Sequence, residues 1–259
     1  MGLFGKLFEK KYCDICGGEI GLLGNRKLED GNLCKNCAAK LSPWFSDRRR
    51  STVEQIRQQL AYREENQERL EHFSPTRTLG GRTHVLLDED NRTFVVTSER
   101  DYRKANADLL DFSQVTGCKL DVDEHRNELY RKDKEGKSVS FIPARYEYNY
   151  NFYIEINVNH PWFDQIRFQL NDSTITVTPP PGSTTQTAAA LARSNLEYQE
   201  CQHMANEITR ALTQVRQQVR REAAAAAAPK KAVTCPWCGA TTTPDQSGCC
   251  EYCGGSVNA

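Results

Sequence analysis

Eleven cysteines punctuate this 259-residue chain, and eight of them fall in four Cys-x-x-Cys pairs, two toward each end. The first two pairs are Cys13 with Cys16 and Cys34 with Cys37; the last two are Cys235 with Cys238 and Cys250 with Cys253. Zinc takes four soft ligands in a tetrahedron, and two tight knuckles brought together supply four thiolates in that geometry. A gap of 17 residues (17–33) separates the first two pairs, inside the window for a four-cysteine site. The second two lie 11 residues apart (239–249), enough for a small ribbon. Two Zn2+ ions per chain are expected, one in each set. Cys249 competes with Cys250, but only Cys250 has the Cys-x-x-Cys-Gly spacing that closes a knuckle.

Composition bounds what such sites serve. There is no apolar run of 18 residues and no signal peptide, so a cytoplasmic protein is expected, with thiolates rather than disulfides. Lys plus Arg equals Asp plus Glu at 34 each, so no global field favours nucleic acid. Locally, residues 1–60 hold 11 basic and 7 acidic residues, and residues 186–259 hold 7 and 6. Nucleic acid is therefore a disfavoured partner. Thiol redox chemistry at Cys-x-x-Cys pairs usually accompanies a βαβ pattern, and none is present here.

The elements carrying the first set differ from one another. Gly17-Gly18 follow Cys16 and suit the positive φ of a knuckle, whereas Ala38-Ala39 follow Cys37 and favour a helix. Asp30-Gly31 marks a tight turn between them. Knuckle, hairpin and ligand-bearing helix make a treble-clef-like finger over 12–46. The run Cys-Asp-Ile-Cys-Gly-Gly, then Lys27 to Gly31, Leu33 to Cys37 and Lys40-Leu41-Ser42 resembles a bacterial, mostly Firmicutes, zinc-finger domain of unknown function. The resemblance covers roughly residues 12 to 60 and implies metal binding but no activity.

Residues 1–11 form a short amphipathic tail with Leu3, Phe4, Leu7 and Phe8 on one face. Packing on the finger is its first reading; membrane-peripheral attachment is the second. Residues 47–79 read as a helical connector, capped at Ser51 or Thr52, with a thin stripe of Val53, Ile56, Leu60 and Leu70. Arg48-Arg49-Arg50 could meet phosphates, but Asp47 and Glu54 flank the run, so it reads as solvated.

Residues 80–178 carry the globular core. Tyr146, Tyr148, Tyr150, Phe152, Ile154, Ile156 and Val158 alternate with polar residues, the period of a half-buried strand. Shorter strands are expected around 85–87, 94–96, 115–122, 139–142, 166–170 and 175–177, with turns at Asp88 to Asn91 and at Asp123-Glu124. About seven strands predict an antiparallel sandwich or small barrel. Leu110-Asp111-Phe112-Ser113-Gln114-Val115, with the aromatic strand and the Ile166-x-Phe168-x-Leu170 strand, resembles bacterial pleckstrin-homology-like domains. That resemblance implies a capping helix and a protein-docking role, since the first hairpin loop is acidic rather than phosphate-binding.

Catalysis is not supported. His72, His84, His125, His160 and His203 are scattered, and neither a Gly-rich phosphate loop nor a His-Glu-x-x-His motif occurs. After Pro179-Pro180-Pro181, a long helix is expected over 186–228. Leu191, Tyr198, Ala205, Leu212 and Val219 recur every seven residues, with Ser194, Cys201, Ile208 and Val215 beside them. The 187–222 stretch could cap the β domain or join a second copy as a homo-oligomer. A linker at 229–234 leads to a zinc ribbon at 235–259, where both knuckles precede glycine. The resulting architecture is multidomain α+β, and the function read from it is a non-enzymatic scaffold or adaptor for an unidentified protein partner. A nucleic-acid-binding finger protein or a peripheral membrane adaptor is the alternative.

Overall fold

The computed structural model describes residues 10–227, 232–245 and 247–257. The tail up to residue 9, the helix end at 228 and linker residues 229–231 lie outside the described residues. The chain forms two compact units that divide inside one helix, after Arg216.

The first unit opens with two small hairpins. β1 (Lys11–Tyr12) pairs with β2 (Glu19–Ile20), and β3 (Arg26–Lys27) pairs with β4 (Asn32–Leu33). A short helix, α1 (Lys35–Ala38), follows at once. Helix α2 (Val53–Glu71) begins with a reciprocal capping box between Thr52 and Gln55, which satisfies two otherwise orphaned N–H groups. Its buried face is Ile56, Gln59, Arg63, Asn66 and Leu70, so three of five inward positions are polar. Of the apolar stripe read from the sequence, Ile56 and Leu70 belong to that face, while Val53 and Leu60 are half-buried beside it.

β5 (Arg77–Gly80), β6 (His84–Asp88), β7 (Thr93–Thr97) and β8 (Leu109–Asp111) form an open antiparallel meander. Asp88 closes the β6–β7 turn by accepting from Ser74 N–H, Asn91 N–H and the Asn91 amide. A second open sheet contains β9 (Val115–Lys132), β10 (Ser138–Val158), β11 (Gln165–Gln169) and β12 (Ile175–Val177). β9 lines one edge of β10, while β11 and β12 share the other at residues 153–157 and 148–150.

Two expectations are corrected here. Asp123-Glu124 is not a turn, because both residues continue the β9–β10 ladder opposite Asn151 and Tyr150. Pairing with a long partner strand overrides the local turn preference of two acidic residues. The segments at 139–142 and 146–158 are one strand with a register shift between Ser140 and Arg145, where Pro143 cannot donate to the ladder. The reversal falls instead at Asp133 to Gly136. There the Asp133 carboxylate accepts from Glu135 and Lys137 N–H, and Gly136 takes φ +81°. On the inward face of β10, Tyr148, Tyr150, Phe152, Ile154, Ile156 and Val158 are all buried.

The long helix is also interrupted. α3 (Thr185–Ser194) stops at Asn195, which leaves helical geometry at ψ 133°. The Asn195 side chain then caps α4 (Leu196–Ala227) by accepting from Tyr198 N–H. Tyr198 packs edge-on against Phe152 and Tyr150, and Ile208 lies against Gly80. Cys201, Ala205, Ile208, Leu212 and Val215 are buried within this one chain. The heptad seam is therefore covered from Cys201 to Val215, whereas Leu191 at its start is exposed.

The second unit contains the end of α4 and a hairpin of β13 (Val233–Thr234) with β14 (Thr241–Thr242), plus a bridge between Cys249 and Ser256. Among the described residues, no helix is long and apolar enough to cross a membrane.

Candidate metal centres

Cys13, Cys16, Cys34 and Cys37 converge so that their four sulfurs lie within 4.8 Å of one another, and Cys235, Cys238, Cys250 and Cys253 do the same. A tetrahedron of zinc–sulfur bonds near ~2.3 Å has edges of about 3.8 Å. The Cys16–Cys34 and Cys238–Cys250 sulfurs are 3.8 Å apart and the Cys235–Cys253 pair 3.6 Å. None of the eleven cysteines is tied up in a disulfide. Each group could hold one zinc ion, two per chain.

Three of the four knuckles are built alike. The first cysteine's N–H donates to a carbonyl five residues on: Cys13 to Gly18, Cys235 to Ala240, Cys250 to Gly255. Its carbonyl accepts from the glycine four residues on: Gly17, Gly239 and Gly254. Those glycines have φ of +72°, +69° and +70°, a conformation costly for any residue with a Cβ. The fourth knuckle is different. Cys34 is the N-cap of α1, and its sulfur accepts from Cys37 N–H at 3.4 Å. Backbone donors turned toward sulfur favour thiolate over thiol.

These donors are visible in the thiol acidities. Burial raises the Cys13 pKa, but N–H groups of Cys16, Cys34 and Ile15 outweigh it and hold the group at about 6. Cys250 is likewise held at about 6 by Tyr252 and Cys253 N–H groups working against burial. Cys37 moves the other way: burial first, then the neighbouring thiols, oppose its ionisation. Cys253 also rises, to about 12: the Gly255 N–H lowers it, but the surrounding thiols and burial outweigh that donor. Four anions in one cage repel one another, and a dication at the centre removes that opposition.

The three remaining cysteines stay outside the cages. Cys249 sits beside the second cage, but its sulfur points to Ser247 O at 3.8 Å. Cys118 faces Thr209 and burial pushes its thiol up to about 11; Cys201 is buried in α4.

The surroundings of the first cage include residues that the sequence reading passed over. Leu28, Leu33, Leu41 and Ile56 form an apolar cluster with Cys13 and Cys37. Asp30 accepts from Val53 N–H at 2.8 Å, and Arg57 donates to Asp14 O, so the start of α2 is bound to the finger. Halfway along α2, buried Arg63 forms an ion pair with buried Asp108 and donates to Asn106 Oδ1 and Ala107 O. Asp108 also accepts from Ser42 Oγ at 2.8 Å, and Asn106 donates to Ala39 O and Leu41 O. Asn66 donates to Ala107 O and accepts from Leu109 N–H. Finger, helix and the entry to β8 thus share one buried polar network. The 56-59-63-66-70 spacing was the available signal, since it is a helical face whatever its polarity.

The histidines do not converge. His160 is buried, accepts or donates at Tyr62 Oη (2.9 Å) and stacks on Phe163; burial and then the Arg63 charge push its pKa down to about 4. His84 faces Gly81 O, His125 pairs with Asp123, and His203 lies near Glu207. A cleft of about 740 Å³ opens beside the first cage, lined in part by Ile15, Leu60, Lys40, Glu64 and Lys104.

Residues 11–59 match a family model described as a domain of unknown function (DUF4428). That segment contains the whole first cage and the start of α2. No curated protein matches the chain, and no solved structure does.

Proposed function

We propose that the chain is a non-enzymatic, zinc-stapled adaptor that docks an acidic, partly apolar segment of another protein. The observation that carries this reading is the use of the buried polar side chains. Buried Arg63, Asp108 and Asn66, together with Asn106 at the exposed edge of the set, spend their hydrogen bonds on joining finger, helix and sheet, which makes a rigid platform rather than a reacting centre. In this reading residues 12–46 are a treble-clef-like finger and 235–259 a zinc ribbon. A four-stranded meander, then a second sheet, then a capping helix supports a pleckstrin-homology-like β domain over 80–178.

The 740 Å³ cleft is the proposed docking place, because it mixes aliphatic walls with the cations Lys40 and Lys104. Glu64 among them sets where an incoming carboxylate can lie. Crosslinking capture with the zinc-loaded full chain tests the proposal. A discrete acidic partner lost on Lys40→Glu with Lys104→Glu is the expected result. Thiol–disulfide exchange with turnover, or capture indifferent to that double variant, contradicts it.

A further inference from the structure

The finger carries a turn whose composition runs against ordinary turn chemistry. Gly24 N–H donates to Gly21 O at 2.8 Å, which closes a four-residue turn with Leu22 and Leu23 at its two central positions. Such positions favour Gly, Asn, Asp or Pro. Here both leucines stand in solvent, 82 % and 83 % exposed, among the most exposed large apolar side chains described. The base of the turn is fixed: Ile20 is buried in the cluster that backs the first cage.

Cations stand next to this tip on the strand that leaves it. Arg26 Nη1 reaches back to Leu23 O, and Arg48 Nη1 donates to Lys27 O at 2.8 Å. Arg26, Lys27, Arg48 and Arg49 line one open cleft of about 720 Å³, with Glu29 as the one acid in the same lining. Among the described residues none of the four pairs with a carboxylate; Asp47, the acid beside the arginine run, is taken by Arg50. Lys11 lies opposite Ile20 in the adjoining ladder. Arg48 and Arg49 of the run at 48–50 therefore join Arg26 and Lys27, which follow the apolar turn directly in the chain, in one cationic cleft.

We propose that this turn docks the finger onto an anionic phospholipid bilayer, with Leu22 and Leu23 entering the headgroup–acyl boundary and Arg26, Lys27, Arg48 and Arg49 meeting lipid phosphates. Each half alone has a simpler explanation, but their adjacency matches the two layers of that one partner. Apolar side chains gain by leaving water at the boundary, and basic ones gain from the negative surface potential above it. A nucleic acid would satisfy the cations only. Its bases reward aromatic stacking, and two aliphatic tips offer none.

Flotation of the zinc-loaded full chain with phosphatidylcholine vesicles, with and without phosphatidylserine, tests this. Binding to the phosphatidylserine vesicles that weakens with added salt is expected, with little binding to phosphatidylcholine alone. Leu22→Ser with Leu23→Ser should weaken it by roughly tenfold or more, as should Lys27→Glu with Arg49→Glu. All four side chains are exposed, so zinc content and melting temperature serve as fold controls and should match the unaltered chain. No binding to the anionic vesicles overturns the proposal. So does undiminished binding by the leucine variant, which would assign attachment to the apolar residues preceding the finger. Binding of duplex DNA or RNA without vesicle binding overturns it equally.

Discussion

Around the first thiolate cage stand Leu28, Leu33, Leu41 and Ile56, and beyond them the Arg63–Asp108 network. Around the second, the buried described residues of 232–257 are Cys235, Thr242, Gly248 and Cys250. The ligand count is equal and three knuckles are superposable in their hydrogen bonds, so the difference lies in what else holds each site together. A module of about 25 residues cannot bury enough apolar surface to offset its chain entropy, and metal supplies the missing free energy. The first cage is one of several bonds in a larger folded unit. Identical chemistry at the two ends therefore carries unequal structural weight.

Substituting one ligand at each end exposes that inequality most strongly. Cys238→Ser should unfold the whole second site, because structural zinc contributes on the order of 10 kcal/mol in such modules. Hydrogen exchange should then show lost protection across 233–257 while β5–β12 stay protected. Cys34→Ser should open residues 11–41, yet α2 beyond Arg63 and both sheets should keep slow exchange, and the second site should retain its zinc.

The polar network is the next largest effect. Arg63→Met leaves Asp108 buried without its cation and should cost about 3–5 kcal/mol, read as a lowered melting temperature of the first unit. Zinc content of the second site should not change. A melting temperature equal to the unaltered chain would show that the finger is held to the sheet by metal and apolar contact alone.

A smaller effect comes from His160. Its folded pKa of about 4 lies below the 6.5 of an exposed histidine, so the unfolded chain takes up a proton that the native chain refuses. Stability contributed by neutral His160 is thus full above about pH 6.5 and is lost as pH falls toward 4. His160→Asn should flatten the pH dependence of the first unit's melting between those values by about 1–3 kcal/mol. Parallel slopes in the two proteins would contradict the burial argument.

Legibility in the sequence followed the range of the interaction. The cysteine sets were readable because knuckle chemistry is local: spacing, a following glycine and a turn lie within six residues. The aromatic alternation of β10 was readable for the same reason. Asp123-Glu124 misled because the ladder that straightens it runs to residues 150 and 151, beyond any local window. Arg63, Asp108 and Asn106 were invisible as a set, since their partners lie 40 or more residues apart and each alone looks like a solvated surface residue. The break at Asn195 was available in principle as a cap signal, but the seven-residue repeat ran through it. The Leu22-Leu23 turn needed exposure, which periodicity over four residues cannot report.

The central claim is that the chain holds two independent zinc ions whose sites depend on metal to different degrees. Native mass spectrometry during a chelator titration, with alkylation of the thiols released at each step, measures this directly. A chain carrying two zinc ions should pass through a one-zinc species in which Cys235, Cys238, Cys250 and Cys253 are alkylated while Cys13, Cys16, Cys34 and Cys37 remain protected. A single ion at the outset, or simultaneous loss with all eight thiols released together, would contradict the account.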